Sequence, residues 1–158
     1  MRYEWGTGDQ LLRDDVTVGT AQKGFWRERA TIATGEGTWS FRAQGGKRVL
    51  ITGPDGAERE GALRTGWFRP VWKVAGAAAA YEVTSPHAFT YRLAVLRGGV
   101  EIGRIIAARW WTDRPALELD DRVAGDVPLG DALLLLWVGY VIRLRRSRDA
   151  GAVASSSP

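Results

Sequence analysis

From Arg2 to Asp120, apolar residues alternate with polar ones in short runs that glycine interrupts. In HAFTYRLAVLRGG, Phe89, Tyr91, Leu93 and Val95 alternate with Ala88, Thr90, Arg92 and Ala94, the period of two of a strand with one buried face. Gly98-Gly99 predicts a turn into VEIGRIIAARWW, where Val100, Ile102, Ile106 and Trp110 share a face that Arg104 interrupts. TWSFRA sets Trp39 and Phe41 against Thr38, Ser40 and Arg42. QGGK then turns the chain into RVLIT, and Pro54-Asp55-Gly56 makes the next turn. Leu11 to Val18, Phe25 to Ala33, Phe68 to Val74, Ala78 to Thr84 and Ala116 to Asp120 add further strands. The four alanines at 77–80, which Gly76 precedes, read as strand with small side chains that would let another element approach closely. Roughly ten short, closely spaced strands predict a mainly β barrel or sandwich.

The pattern changes after Asp126. Asp126 can cap a helix whose first turn holds Val127 and Pro128, and Asp131 places negative charge near the positive end of its dipole. Arg145, Arg146 and Arg148 suit the other end, and Gly151 suits a stop, so a helix is predicted over about 127–148. Its centre, Ala132 to Ile142, is eleven residues without a charge. At about 1.5 Å per residue this covers about 16 Å, against the roughly 30 Å of a bilayer core, so it is too short to span a membrane. Leu133, Leu134, Leu135, Leu136, Trp137, Val138, Tyr140, Val141 and Ile142 surround the axis with apolar side chains. A helix that is apolar all round is enclosed on every side. A single sheet covers one side, whereas a closed sheet covers all of them. The leading expectation is a barrel with its C-terminal helix running through the middle. A surface helix at an interface and a tail anchor are the competing readings.

This layout resembles the Tubby C-terminal-like superfamily, which includes Tubby domains, phospholipid scramblases and LURP-one-related proteins. The resemblance covers nearly residues 3–146 and rests on strand pairs such as TWSFRAQGGKRVLIT and HAFTYRLAVLRGGVEIGRII, followed by the hydrophobic PLGDALLLLWVGYVIRLRRS. It implies an antiparallel barrel of about twelve strands around the helix. Taken with the strand pattern, the expected fold is mainly β, a closed antiparallel β-barrel of about 10–12 strands enclosing a hydrophobic C-terminal α-helix. The resemblance also implies lipid partners: Tubby domains bind phosphoinositide head groups, and scramblases are associated with lipid and calcium. Asp120-Asp121 and Asp126 lack the alternating oxygen ligands of a calcium loop, and no head-group residue of the family maps onto a numbered position.

Composition narrows the function classes. With 158 residues, 45% of them hydrophobic, the chain is expected to form one domain over 1–149, followed by a disordered tail over 150–158. There is no cysteine, hence no disulfide, thiolate metal site or cysteine nucleophile. MRYEWGTGDQLL has no basic lead before an apolar stretch, so a cytoplasmic location is expected. Without Arg143, Arg145, Arg146 and Arg148 the 22 basic residues fall to 18, equal to the acidic count, so those four carry the net charge.

His87 has no second histidine or cysteine as zinc company, and Gly45-Gly46-Lys47-Arg48 reads as a hairpin turn rather than a phosphate loop. Asp14-Asp15 and Asp120-Asp121 read as solvated turn ends, because adjacent strand residues point to opposite faces. Eight tryptophans, Trp26, Trp39, Trp72, Trp110, Trp111 and Trp137 among them, read as core. Arg143, Arg145, Arg146 and Arg148 have two readings. The leading one is that they complement the helix dipole; the other is that they attach the protein to anionic lipid at about 1 kcal/mol per basic residue. The expectation is a non-enzymatic interaction module with no cofactor and no metal, peripheral to an anionic membrane surface. A nucleic-acid-binding barrel is the alternative, and an apolar-ligand carrier is disfavoured because the helix fills the lumen.

Overall fold

A computed structural model describes residues 1–22, 29–66, 70–85, 92–108 and 114–154, with side chains assigned up to Ser147. Twelve strands run in sequence: β1 (Arg2–Trp5), β2 (Gln10–Arg13), β3 (Val16–Ala21), β4 (Arg29–Thr34), β5 (Gly37–Gln44), β6 (Arg48–Thr52), β7 (Glu58–Thr65), β8 (Val71–Ala75), β9 (Ala80–Thr84), β10 (Leu93–Arg97), β11 (Val100–Ala107) and β12 (Pro115–Leu119). Each pairs antiparallel with its neighbours in sequence, and β12 pairs back onto β1, as in Tyr3 opposite Leu117. The sheet is a closed barrel with no free edge.

Several strands differ from the sequence expectation for physical reasons. Leu11 to Val18 is not one strand but the β2–β3 hairpin. Asp14 and Asp15 form its turn at φ 48° and 67°, left-handed values that aspartate tolerates better than most side chains. The strand β7 has no period-two signal, because its first half is charged and Gly61 is an extra residue in a bulge opposite Val49 and Leu50. A second bulge settles the Arg104 interruption. Val95 pairs with Gly103 and Leu96 with Glu101, so Ile102 is the extra residue and the inward phase slips by one. Ile102 and Ile105 are buried, whereas Val100 is 66% exposed and Ile106 lies only partly buried. Trp110 and residues 86–91 lie outside the described residues.

After β12 the chain makes one helical turn, α1 (Asp121–Ala124), capped by the Asp120 carboxylate accepting from Arg122 N at 3.0 Å. The long helix α2 is Leu129–Ala154. Its first turn closes with Ala132 N donating to Pro128 O at 3.0 Å. Asp126 is not its cap. That side chain is drawn off to Arg97, 3.7 Å away. Gly151 does not stop the helix, and residues 150–154, expected in a tail, continue it. A glycine inside a helix costs only about 1 kcal/mol relative to alanine, which a formed helix tolerates.

From Ala132 to Val138, and again at Tyr140 and Val141, α2 is at most 3% exposed, and Ile142 is partly buried where the helix leaves the lumen. The helix packs on β5, β8, β9 and β12, strands spread around the ring, so the wall encloses it. Trp137 fills the space toward β5, its ring 6.0 Å from that of Phe41 and 5.1 Å from Tyr140. At Gly139 the helix lies so close to β11 that a Cβ would sit 2.6 Å from Ile105 Cγ2.

One buried charge fixes the helix along the barrel axis. Asp131, 1% exposed, accepts from Ala77 N at 2.6 Å, Ala78 N at 3.2 Å and the Tyr81 hydroxyl at 3.0 Å. The close approach foreseen at the alanines is made here at Ala77 and Ala78, and Gly76 just before them allows it too, since a Cβ there would collide with this carboxylate. Burial, and then the Asp131 charge and hydrogen bond, push the Tyr81 phenol well above its ordinary range, with Arg97 acting weakly against them.

Outward positions on the strands, and Arg92 just before β10, carry ion pairs. Arg2 reaches Glu4 at 2.6 Å and Glu118 at 3.1 Å, Arg104 reaches Glu118 at 2.5 Å, and Arg92 reaches Glu101 at 2.6 Å. Exposed pairs of this kind contribute at most about 1 kcal/mol each. No helix of the described residues is long and apolar enough to cross a membrane.

Candidate anion-binding mouth of the barrel

The barrel end from which α2 emerges carries basic side chains on both wall and helix. Ile142, Arg145 and Arg146 stand at i, i+3 and i+4, so all three face the same way. They face the rim of β7, β8 and β9 across a cavity of about 120 Å³ whose lining includes Arg64, Trp72, Ser85 and Leu93.

Strand register explains the wall side. On β7 and β8, Ala62 is opposite Val74 and Arg64 is opposite Trp72. Ala62, Val74 and Trp72 are buried inward residues, so Arg64 is the next inward position, at the rim. Likewise Tyr81 and Val83 are buried on β9, and Ser85 is the next residue in that phase. Polar side chains thus replace apolar ones where the lumen opens.

Arg145 is held firmly. Its guanidinium donates to Gly46 O in the β5–β6 turn and lies over the Trp72 ring, 5.9 Å from the centroid. The same turn is tied to the wall by Arg64 N donating to Lys47 O at 2.7 Å, and it sets the exposed Lys47 beside the mouth. Gly45-Gly46-Lys47 is therefore the hairpin turn expected from its composition, with Gly45 and Gly46 at φ 55° and 79°. Among the described residues lining the cavity, Arg64, Arg145 and Arg146 are basic and none is acidic.

Of the four arginines singled out in sequence, two reach this cavity. Arg143 is half-buried and is not among its lining residues, and its backbone carbonyl accepts from Ser147 Oγ at 3.2 Å. The Arg148 side chain lies outside the described set. Because α2 runs on to Ala154, its last turn holds no basic residue. The dipole effect fades within the last turn, so it does not account for Arg143, Arg145 and Arg146. Arg64 was not anticipated.

The remaining candidates fall elsewhere. Asp14 and Asp15 form a turn, Asp120 caps α1, and the Asp121 carboxyl is held below its usual range by the hydrogen bond and charge of the Met1 amine at 2.5 Å. Trp72 and Trp137 are interior, and Trp39 is partly buried against the core. His87, Trp26, Trp110 and Trp111 lie outside the described residues. Among the described residues no group of three His, Cys, Asp or Glu side chains could hold a metal. Comparison with protein-family models, with curated proteins and with solved structures gives no match to the chain.

Proposed function

We propose that the chain is a non-enzymatic interaction module of Tubby and scramblase type that docks its basic mouth on anionic phospholipid head groups at a cytoplasmic membrane surface. The observation carrying this reading is the convergence of Arg64, Arg145 and Arg146 on one cavity at the open end of a plugged barrel. The helix occupies the lumen that an apolar ligand would use, so an interaction at the rim accounts better for the polar residues collected there. The closed twelve-strand wall and the threaded helix accord with the superfamily resemblance. At about 1 kcal/mol per basic residue near an anionic surface, three arginines supply about 3 kcal/mol, enough for weak, salt-sensitive recruitment.

Liposome sedimentation tests this. The protein is expected to pellet with phosphatidylserine vesicles at low salt and to be released as salt shortens the Debye length. Replacing Arg143, Arg145, Arg146 and Arg148 by glutamine should leave it in the supernatant, with near-UV circular dichroism confirming that the variant is folded. Equal sedimentation of the two proteins would refute the reading. Binding to single-stranded DNA without binding to vesicles would replace it by the nucleic-acid one.

A further inference from the structure

We infer that the mouth selects one terminal phosphomonoester, presented by phosphatidate, over phosphodiester lipids and over larger phosphorylated head groups of equal charge. This inference rests on the membrane reading above and narrows it to a head group. Size is the first argument. The cavity, about 120 Å³ and open to solvent on one side, is smaller than the roughly 150 Å³ that admits a single benzene. It accommodates a phosphate with little attached, whereas a phosphorylated inositol ring has to stay outside it, against the apolar rim.

Charge placement is the second argument. Arg64 approaches from the wall and Arg145 and Arg146 from the helix, so donors lie on two sides of one small space. A phosphomonoester carries about −1.5 to −2 charge at pH 7 and three terminal acceptor oxygens, and it enters end-on. Arginine forks suit those oxygens. A phosphodiester has a substituent on either side of phosphorus and a single charge, and it has no free end to insert.

The rest of the lining decides between carriers of the same group. Ile142, Pro70 and Trp72 border the cavity beside the arginines. The glycerol and first acyl carbons of phosphatidate can rest on them, whereas the hydroxyls of an inositol ring would lose water against them without partners.

The test is vesicle sedimentation at matched surface charge with phosphatidate, with phosphatidylserine and with a phosphatidylinositol monophosphate, with free glycerol 3-phosphate as competitor. Partition onto phosphatidate should be about tenfold stronger than onto phosphatidylserine, the size of one added set of charge-assisted hydrogen bonds. That advantage should grow from pH 5 to pH 7.5 as the second phosphate proton leaves near pH 6, while phosphatidylserine partition stays flat. Arg64→Gln should bring phosphatidate down to the phosphatidylserine level. Arg13→Gln, which removes the same charge from the exposed end of β2, should not. Equal partition onto phosphatidate and phosphatidylserine would overturn the inference and leave the membrane reading intact. A preference for the phosphoinositide, or competition by glycerol 3-phosphate at concentrations comparable with the lipid, would overturn the choice of carrier. Failure to sediment with any vesicle would remove both.

Discussion

Leu135→Asp is expected to abolish the native fold while leaving chain length unchanged. Leu135 is fully buried in the enclosed first half of α2, with the barrel wall around the helix. The substitution removes a leucine from a closely packed space, at about 2–5 kcal/mol, and places a carboxyl among the apolar side chains of the core. Together these approach the whole stability of an ordinary domain, about 5–15 kcal/mol. The expected product is insoluble, or has lost near-UV circular dichroism. Ser147→Asp puts the same side chain on the same helix, but at an exposed position beyond the mouth, and should melt close to the parent protein. A folded Leu135→Asp monomer with an unchanged melting temperature would show that α2 is not the core.

The second large effect is at Asp131. Replacing it by alanine leaves Ala77 N, Ala78 N and the Tyr81 hydroxyl without their acceptor at the junction of helix and β8–β9 turn. Hydrogen bonds to a charged group contribute about 1.5–3 kcal/mol each, offset in part by removal of a buried charge, and a net loss of about 3 kcal/mol is expected. At 2–4 °C per kcal/mol for a domain of this size, the melting temperature should fall by about 10 °C. Tyr81→Phe removes one donor and leaves the two backbone bonds, so about 1.5 kcal/mol is expected. The double variant should be little worse than Asp131→Ala alone, because both changes break the same contact. Additive losses would show that tyrosine and carboxylate act independently.

The barrel was legible because its strands alternate and because a helix apolar on every face, in a chain of short strands, admits few partners. The alanine run was legible as a place of close approach, though neither the part of Gly76 nor what approached. Asp131 looked like an ordinary dipole-complementing residue, since nothing local distinguishes a carboxylate facing solvent from one facing backbone amides more than fifty positions away. The bulges in β7 and β11 were hidden for a related reason: an extra residue is defined only against a paired strand, and Ile102 against Val95 and Leu96 cannot be read from β11 alone. Arg64 was lost with β7, whose charged start and Gly61 bulge erase the alternation that would have assigned it an inward position. The helix arginines were legible as a cluster. Which of them share a cavity depends on how far α2 rises through the barrel, and Asp131 at its other end holds it there.

The most direct test of the threaded helix is native-state hydrogen exchange of the α2 amides. A helix enclosed by a closed wall cannot open while the wall stands, so the amides of Leu136 to Val141 should exchange only through global unfolding. Their exchange free energies and denaturant dependence should match those of central wall amides such as Val83 and Ile105. Exchange of these helix amides at much lower free energy, with weak denaturant dependence and an intact wall, would mean that α2 opens independently and would contradict the threaded barrel.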